Sequence, residues 1–333
     1  MTALAASEPG VLARPAGRLE LIDVARGLAL LAMALYHLFW DLSFLKLIET
    51  QVATAAPWPW AARAIAGSFL FLVGVSLVLA HGDGLRWHAF LRRLGMILAA
   101  AAAVTLVTFL VFPESYIFFG ILHCIALSSL LALPFLRAPL PLVALSAAIV
   151  LSAPLWATSP AFDAPLLAFL GLGTRLPVTN DYVPLFPWFG MVLAGLATAR
   201  VTLPWLAASA VWRWQASSRA GRALAWAGRH SLSVYLIHQP ILLAVLYPLS
   251  VAVGPHPAAE AAPFIRSCEA QCVAAGHTGD RCHRACHCTV EELRRRDLWA
   301  RTLQNALGPD ERLQVEALAR QCFARAGGAL RAP

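Results

Sequence analysis

The sequence predicts an all-α polytopic membrane protein of about seven spans, followed by a small Cys-rich helical C-terminal tail. Three observations carry this. Hydrophobic residues make up 59% of the 333 residues and charged residues only 13%, where a soluble domain is about one-quarter charged. Seven stretches are long and apolar enough to cross about 30 Å of hydrocarbon at about 1.5 Å per residue. Beyond residue 253 the composition becomes charged, and six of the seven cysteines gather there. The expected organisation is a flexible N-terminus over 1–17, a membrane domain over 18–253 and the tail over 254–333.

The expected spans lie near 21–41, 58–80, 89–112, 117–136, 139–157, 184–203 and 230–252. The first is no signal peptide, because its apolar run is too long and Asp23 and Arg26 interrupt its start. Segment 204–229, rich in Arg and Trp, reads as an amphipathic connector at the membrane surface. The net charge of +8 comes from 25 Arg and one Lys, and its placement follows the loops, so nucleic acid is not an expected partner. Arg14 and Arg18, then Arg86, Arg92 and Arg93, then Arg137, then Arg200, Arg213, Arg219, Arg222 and Arg229 all fall on one side. The positive-inside rule makes that side cytoplasmic. Seven spans then place the N-terminus inside and the tail outside, in the periplasm of a bacterial inner-membrane protein.

Ionisable residues at bilayer depth cost roughly 2.5–3.5 kcal/mol each on insertion scales, so they are functional candidates. Asp23 and Arg26 stand three apart near the inner end of the first span. His37 lies about 24 Å further out than Leu21, and Asp41 one helical turn beyond it on the same face. His123 is about two turns into the fourth span from outside, and Asp181 sits at the outer rim before the sixth. His238 and Gln239, followed by Pro240, lie two to three turns into the last span from inside. Depth therefore predicts an outer cluster of His37, Asp41, His123 and Asp181, and an inner one of Asp23, Arg26, His238 and Gln239. A neutral imidazole can accept a proton from a hydroxyl or amine, and a carboxylate on its other nitrogen fixes the tautomer.

The segments "RLELIDVARGLALLAMALYHLFWDL", "FLFLVGVSL", "FFGILHCIA", "PLFPWFGMVLAG" and "GRHSLSVYLIHQPIL" together resemble bacterial membrane proteins of the heparan-alpha-glucosaminide N-acetyltransferase catalytic-domain family, over roughly 18–250. The resemblance implies a transmembrane acyltransferase. Such a protein moves an acyl group, acetyl in the type case, from cytoplasmic acyl-CoA to a sugar hydroxyl or amine of a glycan or glycolipid across the membrane lipid. His37, followed by Trp40 and Asp41, matches the family's active histidine and its acidic, aromatic-rich continuation. On this reading His37 is a general base, Asp41 orients it or holds the acceptor, and His123 completes the site. Asp23, Arg26, Trp40, Asp181, Trp188, His238 and Gln239 are then candidates for binding acceptor or acyl-CoA, with Arg26 and the inner arginines on the CoA phosphates. The chain is shorter than the characterised enzyme and lacks its Asn- and Gly-rich loop. Acyl-CoA is the expected donor substrate, and no metal or haem is expected.

Two other function classes remain open from the residues: a b-type haem protein ligated by two intramembrane histidines, and a proton-coupled transporter using His and Asp as a relay. Neither a nucleotide-binding loop nor a C-x-x-C-H haem-attachment motif occurs. Oligomeric state has no signature.

In the tail, "CEAQC" and "CHRAC" are both C-x3-C, a spacing that puts each pair on one helix face. Gly276 and Gly279 mark a turn between two short helices. An antiparallel hairpin then faces Cys268 with Cys286 and Cys272 with Cys282, leaving Cys288 and Cys322 as a third pair. An even count on the outside favours disulfides, against a metal site of Cys with His283 and His287, or free thiols. Cys124, within a span, reads as an apolar filler.

Overall fold

A computed structural model describes residues 19–328 except Asp83; the flexible terminus expected over 1–17 lies outside them. The described chain is helical, with no strand among its residues. Five helices are long and apolar enough to cross a membrane: α1 (Glu20–Phe44), α2 (Trp58–His81), α3 (Trp87–Val111), α6 (Leu185–Ala207) and α8 (Ser231–Val253). Two of the expected spans are shorter than their apolar runs suggested, namely α4 (Ile121–Leu131) and α5 (Leu140–Ser152). At 11 residues, α4 rises about 17 Å, well short of about 30 Å. Its limits have local causes. Residues before Gly120 are non-helical, and Pro134 opens a 3₁₀ turn in which a backbone donor is missing. Within the expected connector an amphipathic helix forms, α7 (Arg219–Arg229), with the Ser218 hydroxyl capping it by accepting from Gly221 N–H at 3.0 Å.

The chain divides into two compact units. The first comprises the described residues to Leu38 together with Ala53–Leu242; the second comprises Phe39–Val52 and the chain from Leu243 onward. In the first unit α2 and α6 are the central pair. Gly74 lies against the carbonyl of Val192, and Gly195 against the carbonyl of Phe71, so close that a Cβ at either glycine would overlap backbone. Around these contacts Leu70, Val192, Leu193 and Leu196 are wholly buried. Between apolar helices in lipid the hydrophobic drive is small, and close backbone approach through small residues supplies van der Waals contact in its place. The α5 helix packs on α6 through Gly190, where an added Cβ would come within 2.6 Å of Leu151 Cγ. A second layer joins Ile97, Ala100 and Ala101 of α3 to Leu122 and Ala126 of α4, with Leu232, Tyr235 and Leu236 of α8 packed on them. Outward faces carry Leu28, Leu31 and Leu35 of α1 and Leu98, Leu106 and Leu110 of α3, as lipid-facing helices do. Cys124 is a buried free thiol, in keeping with a filler.

The second unit includes α9 (Pro257–Ala274), α10 (Gly279–Arg295), α11 (Trp299–Leu303) and α12 (Pro309–Gly328). Its apolar core is small: Ala261, Val290, Leu293, Leu298, Trp299 and Leu318. Disulfides join Cys268 to Cys286 and Cys272 to Cys282, the two pairs that the hairpin geometry predicted, and Cys288 to Cys322, the pair it left over. A core of this size needs such cross-links, each of which typically adds about 2–4 kcal/mol.

Gly74→Ala and Gly195→Ala should each lower the thermal unfolding temperature of the purified protein in detergent, since overpacking costs about 1–3 kcal/mol. Gly95→Ala, where an added Cβ meets nothing within 4 Å, should leave it unchanged or raise it, by up to about 1 kcal/mol of helix propensity. Equal effects at the three positions would deny the backbone contact between α2 and α6.

Candidate active site

At the start of α1, Arg26 donates from Nη1 to Asp23 Oδ1 at 3.0 Å and from Nη2 to Ser76 Oγ at 2.5 Å. Ser76 in turn donates to the carbonyl of Leu72 within α2. Asp23 is almost wholly buried. Beside it, Gly228 of α7 rests against the carbonyl of Asp23, and Gly27 rests against the carbonyl of Leu224; neither glycine has space for a Cβ. Glu20 and Arg229 lie 4.0 Å apart at the edge of this junction. The expected pairing of Asp23 with Arg26 is therefore present, embedded in a joint of α1, α2 and α7.

From that joint two helices lead to the histidines. His37 is fourteen residues beyond Asp23 along α1, a rise of about 21 Å, and His238 is about two turns into α8, which begins at Ser231 just past α7. Their rings meet with centroids 5.0 Å apart at 73°. This corrects the depth assignment, which placed His37 in an outer cluster and His238 in an inner one. The ruler used there counted residues along each expected span separately, and it does not register how two helices are set against one another. Tyr36 stands edge-on to His37, with centroids 5.8 Å apart.

The tautomer of His238 follows from its partner. Nδ1 lies 2.5 Å from the carbonyl of Tyr235. A carbonyl has no proton to give, so Nδ1 carries the proton and Nε2 holds a lone pair. That Nε2, and Nδ1 of His37, are buried without a hydrogen-bond partner among the described residues. Buried polar atoms in native proteins nearly always have one, which singles these two nitrogens out as candidates for contact with water or a substrate. Tyr235 extends this pair: its ring is 5.7 Å from that of His238. Tyr235 was missed in the sequence. Its one signal is its position three residues before His238, on the same helix face.

His123 has other duties. Its Nδ1 accepts from Gly120 N–H at 3.3 Å, so the proton is on Nε2, which donates to Thr105 Oγ1 at 3.2 Å. Thr105 passes its own proton to the carbonyl of Ile117 at 2.7 Å. Both ring nitrogens are thus used in capping α4 and tying it to α3, and the contacts described join His123 to these groups and to Phe119, not to His37. Asp181 also caps α4, accepting from Ile121 N–H at 3.0 Å. Burial raises its pKa above the usual carboxylate range, and the Ile121 bond partly opposes that.

The remaining candidates are dispersed. Trp188 packs over Gly67 of α2. Trp40 stacks on Phe44, 5.0 Å between centroids, within the second unit. Asp41 is fully buried on α1, one turn past His37, and Gln239 is half-buried beside His238 in sequence. Next to Asp181 in the chain, Tyr182 joins Phe118, Phe162, Ala168 and Arg175 around an open cleft. Tyr182 donates to the carbonyl of Ala168 at 2.6 Å. One wall is braced by Asp163, which accepts from the Thr174 hydroxyl at 2.7 Å and from the N–H groups of Thr174 and Arg175 at 2.6 and 3.1 Å. Those bonds, the hydroxyl first, hold the Asp163 carboxyl below its ordinary pKa.

Residues 18–240 match the family model described as heparan-alpha-glucosaminide N-acetyltransferase, catalytic. No curated protein and no solved structure matches the chain.

Asp23→Ala should destabilise the protein by about 3–5 kcal/mol, because it leaves the Arg26 charge without its carboxylate in the joint. The double variant D23A/R26A should recover part of that loss. Thermal unfolding of the four proteins forms a double-mutant cycle; additive losses would show that the pair is not coupled.

Proposed function

From the membership of this chain in the heparan-alpha-glucosaminide N-acetyltransferase catalytic family, we propose that it is a membrane acyltransferase that carries an acyl group, acetyl in the simplest case, from cytoplasmic acyl-CoA to a hydroxyl or amine of a sugar on the periplasmic side. Beyond the family, the observation that carries the reading is the meeting of His37 with His238, each with a buried, unpartnered nitrogen.

The chemistry follows from the tautomers. The lone pair on His238 Nε2 takes the proton of the acceptor hydroxyl or amine as its oxygen or nitrogen attacks the thioester carbonyl. His37, facing it, holds the acceptor or the developing oxyanion. The tetrahedral species collapses, the C–S bond breaks, and the CoA thiolate leaves with the proton returned from the imidazolium. The Tyr235 carbonyl fixes the base in its working orientation, a duty more often given to a carboxylate, and it stabilises the imidazolium as that forms. Asp41 bears on the same face of α1 by its place in the helix.

Donor and acceptor approach from opposite sides. Arg213, Arg219 and Arg222 are exposed around the start of α7 and suit the CoA phosphates. Arg26, engaged by Asp23 and Ser76, serves as the structural anchor of α1. The cleft of Phe118, Phe162, Tyr182 and Arg175 offers aromatic faces and a cation to an acceptor, one residue from Asp181. The arginine distribution supports an N-terminus in the cytoplasm and a disulfide-bonded tail in the periplasm of the inner membrane.

His37→Ala and His238→Ala should each lower acyl transfer by purified, reconstituted protein by about 10²–10⁴, the usual share of general acid–base catalysis. His123→Ala should lower thermal stability while the folded fraction keeps its turnover. Mass spectrometry of envelope glycans and lipids from cells with and without the protein supplies the acceptor, as an added acyl mass. Normal turnover in both His37→Ala and His238→Ala would overturn the assignment.

Thiol labelling of intact spheroplasts should modify the tail cysteines only after reduction. Labelling that needs cell lysis and no reductant would place the tail in the cytoplasm.

A further inference from the structure

The hairpin of α9 and α10 carries a group of side chains that acyl transfer does not use. His283 and His287 stand four apart on α10, and their ring centroids are 4.2 Å apart. Glu269 of α9 faces them, with Oε1 2.8 Å from His283 Nδ1. One donor atom from each of the three lies within 4.8 Å of the others. The frame around them is rigid. Glu269 follows Cys268, His283 follows Cys282 and His287 follows Cys286, and these cysteines belong to the two disulfides that bridge the helices. Each candidate ligand is thus the immediate neighbour of a covalent cross-link.

We propose that Glu269, His283 and His287 form a binding site for a divalent transition-metal ion, Zn²⁺ in the first instance. Two imidazoles and one carboxylate are borderline-soft nitrogen and oxygen donors of the kind zinc takes, and three protein ligands leave a fourth position open to water. Histidines at i and i+4 on a helix project to one side, so they converge on one ion without bending the backbone. The contact between His283 and Glu269 is the metal-free form of the site: the ion takes the place of the Nδ1 proton that bridges them, that proton moves to Nε2 or, from an imidazolium, to solvent, and small side-chain rotations bring all three donors to about 2.0–2.2 Å from the ion. The disulfides do for the site what packing does elsewhere, holding the donors in place before the ion arrives. From sequence no metal was expected, and the metal alternative in the tail combined the cysteines with His283 and His287. Disulfide formation removes the thiolates and leaves the histidines with a carboxylate that spacing alone did not reveal. By the usual order of divalent affinities Cu²⁺ binds such donors more tightly than Zn²⁺, so it is the competitor to test.

The test uses the full-length, tag-free protein in detergent, stripped with chelator and kept oxidised. Titration with Zn²⁺ alone, followed by calorimetry, should show one site per chain. Glu269→Gln should weaken it by at least about tenfold, the lower end of what loss of even an outer-shell partner costs. H283A/H287A should remove it. Titration with Co²⁺ should give visible d–d bands without the near-ultraviolet thiolate charge-transfer band that cysteine ligation would produce. Absence of reactive tail thiols and an unchanged helical circular dichroism spectrum establish that the variants keep their fold. No stoichiometric uptake up to millimolar Zn²⁺, or uptake that is unchanged in Glu269→Gln or in H283A/H287A, overturns the proposal. A Cu²⁺ titration displacing Zn²⁺ at the same stoichiometry supports the site and reassigns its preferred ion.

Discussion

The seat of Gly228 on the carbonyl of Asp23 is the constraint on which the membrane site depends. A side chain at residue 228 would push α7 away from α1 and shift the start of α8 with it. Because the contact is backbone to backbone, it holds the end of α7, from which α8 starts at Ser231, close against α1. The His238 and His37 rings then meet edge to face. The ion pair of Asp23 with Arg26 sits at the same joint, and Ser76 ties it to α2. One small residue, two charges and a hydroxyl therefore set the register of three helices whose apolar faces alone would let them slide.

The two units are held by different physics. Helices that exchange lipid for one another gain little from burial, so the first unit relies on glycines at crossings and on internally satisfied polar groups. Gly74 and Gly195 do this for α2 and α6, while Thr105, His123 and Asp181 do it for the irregular entry to α4. Arg200 is a further case, donating to the carbonyls of Phe135 and Ala138 at 3.2 and 2.5 Å and so covering the turn after α4. The second unit has water-type driving forces and too few apolar residues to exploit them fully, and three disulfides reduce the freedom of its unfolded chain.

Much of this was legible in the sequence, and the failures are local. Apolar run length and arginine placement gave seven helices near their observed positions, because hydropathy reports directly on the solvent a helix must face. Run length overstated α4, since apolar residues continue through Gly120 and Pro134 although the helix cannot. The disulfide pairing was readable because C-x3-C leaves each sulfur one face to point from, and a hairpin leaves one antiparallel register. The site was only half readable. Composition at depth singled out His37 and His238, but their meeting depends on how α8 is set against α1, which counting along each span does not register. His123 and His37 look alike on a depth ruler. Their difference lies in hydrogen bonds to Gly120 and Thr105, which no spacing rule encodes.

That difference in satisfaction separates structure from chemistry among these histidines. A histidine kept for architecture uses both nitrogens, as His123 does, because an unpaired polar atom in a low-dielectric interior costs about 1–3 kcal/mol. His37 and His238 each leave one nitrogen without a protein partner, adjacent to one another, in a helix layer where apolar residues would pack at lower cost. Such a cost is tolerated where something outside the fold, water or a reacting group, completes the pair. On the proposed reading, the lone pair that the Tyr235 carbonyl fixes on His238 Nε2 is the state a general base holds before its substrate arrives. The tautomer is then set in the resting protein, and no proton has to be moved within the imidazole before it accepts one from the proposed acceptor.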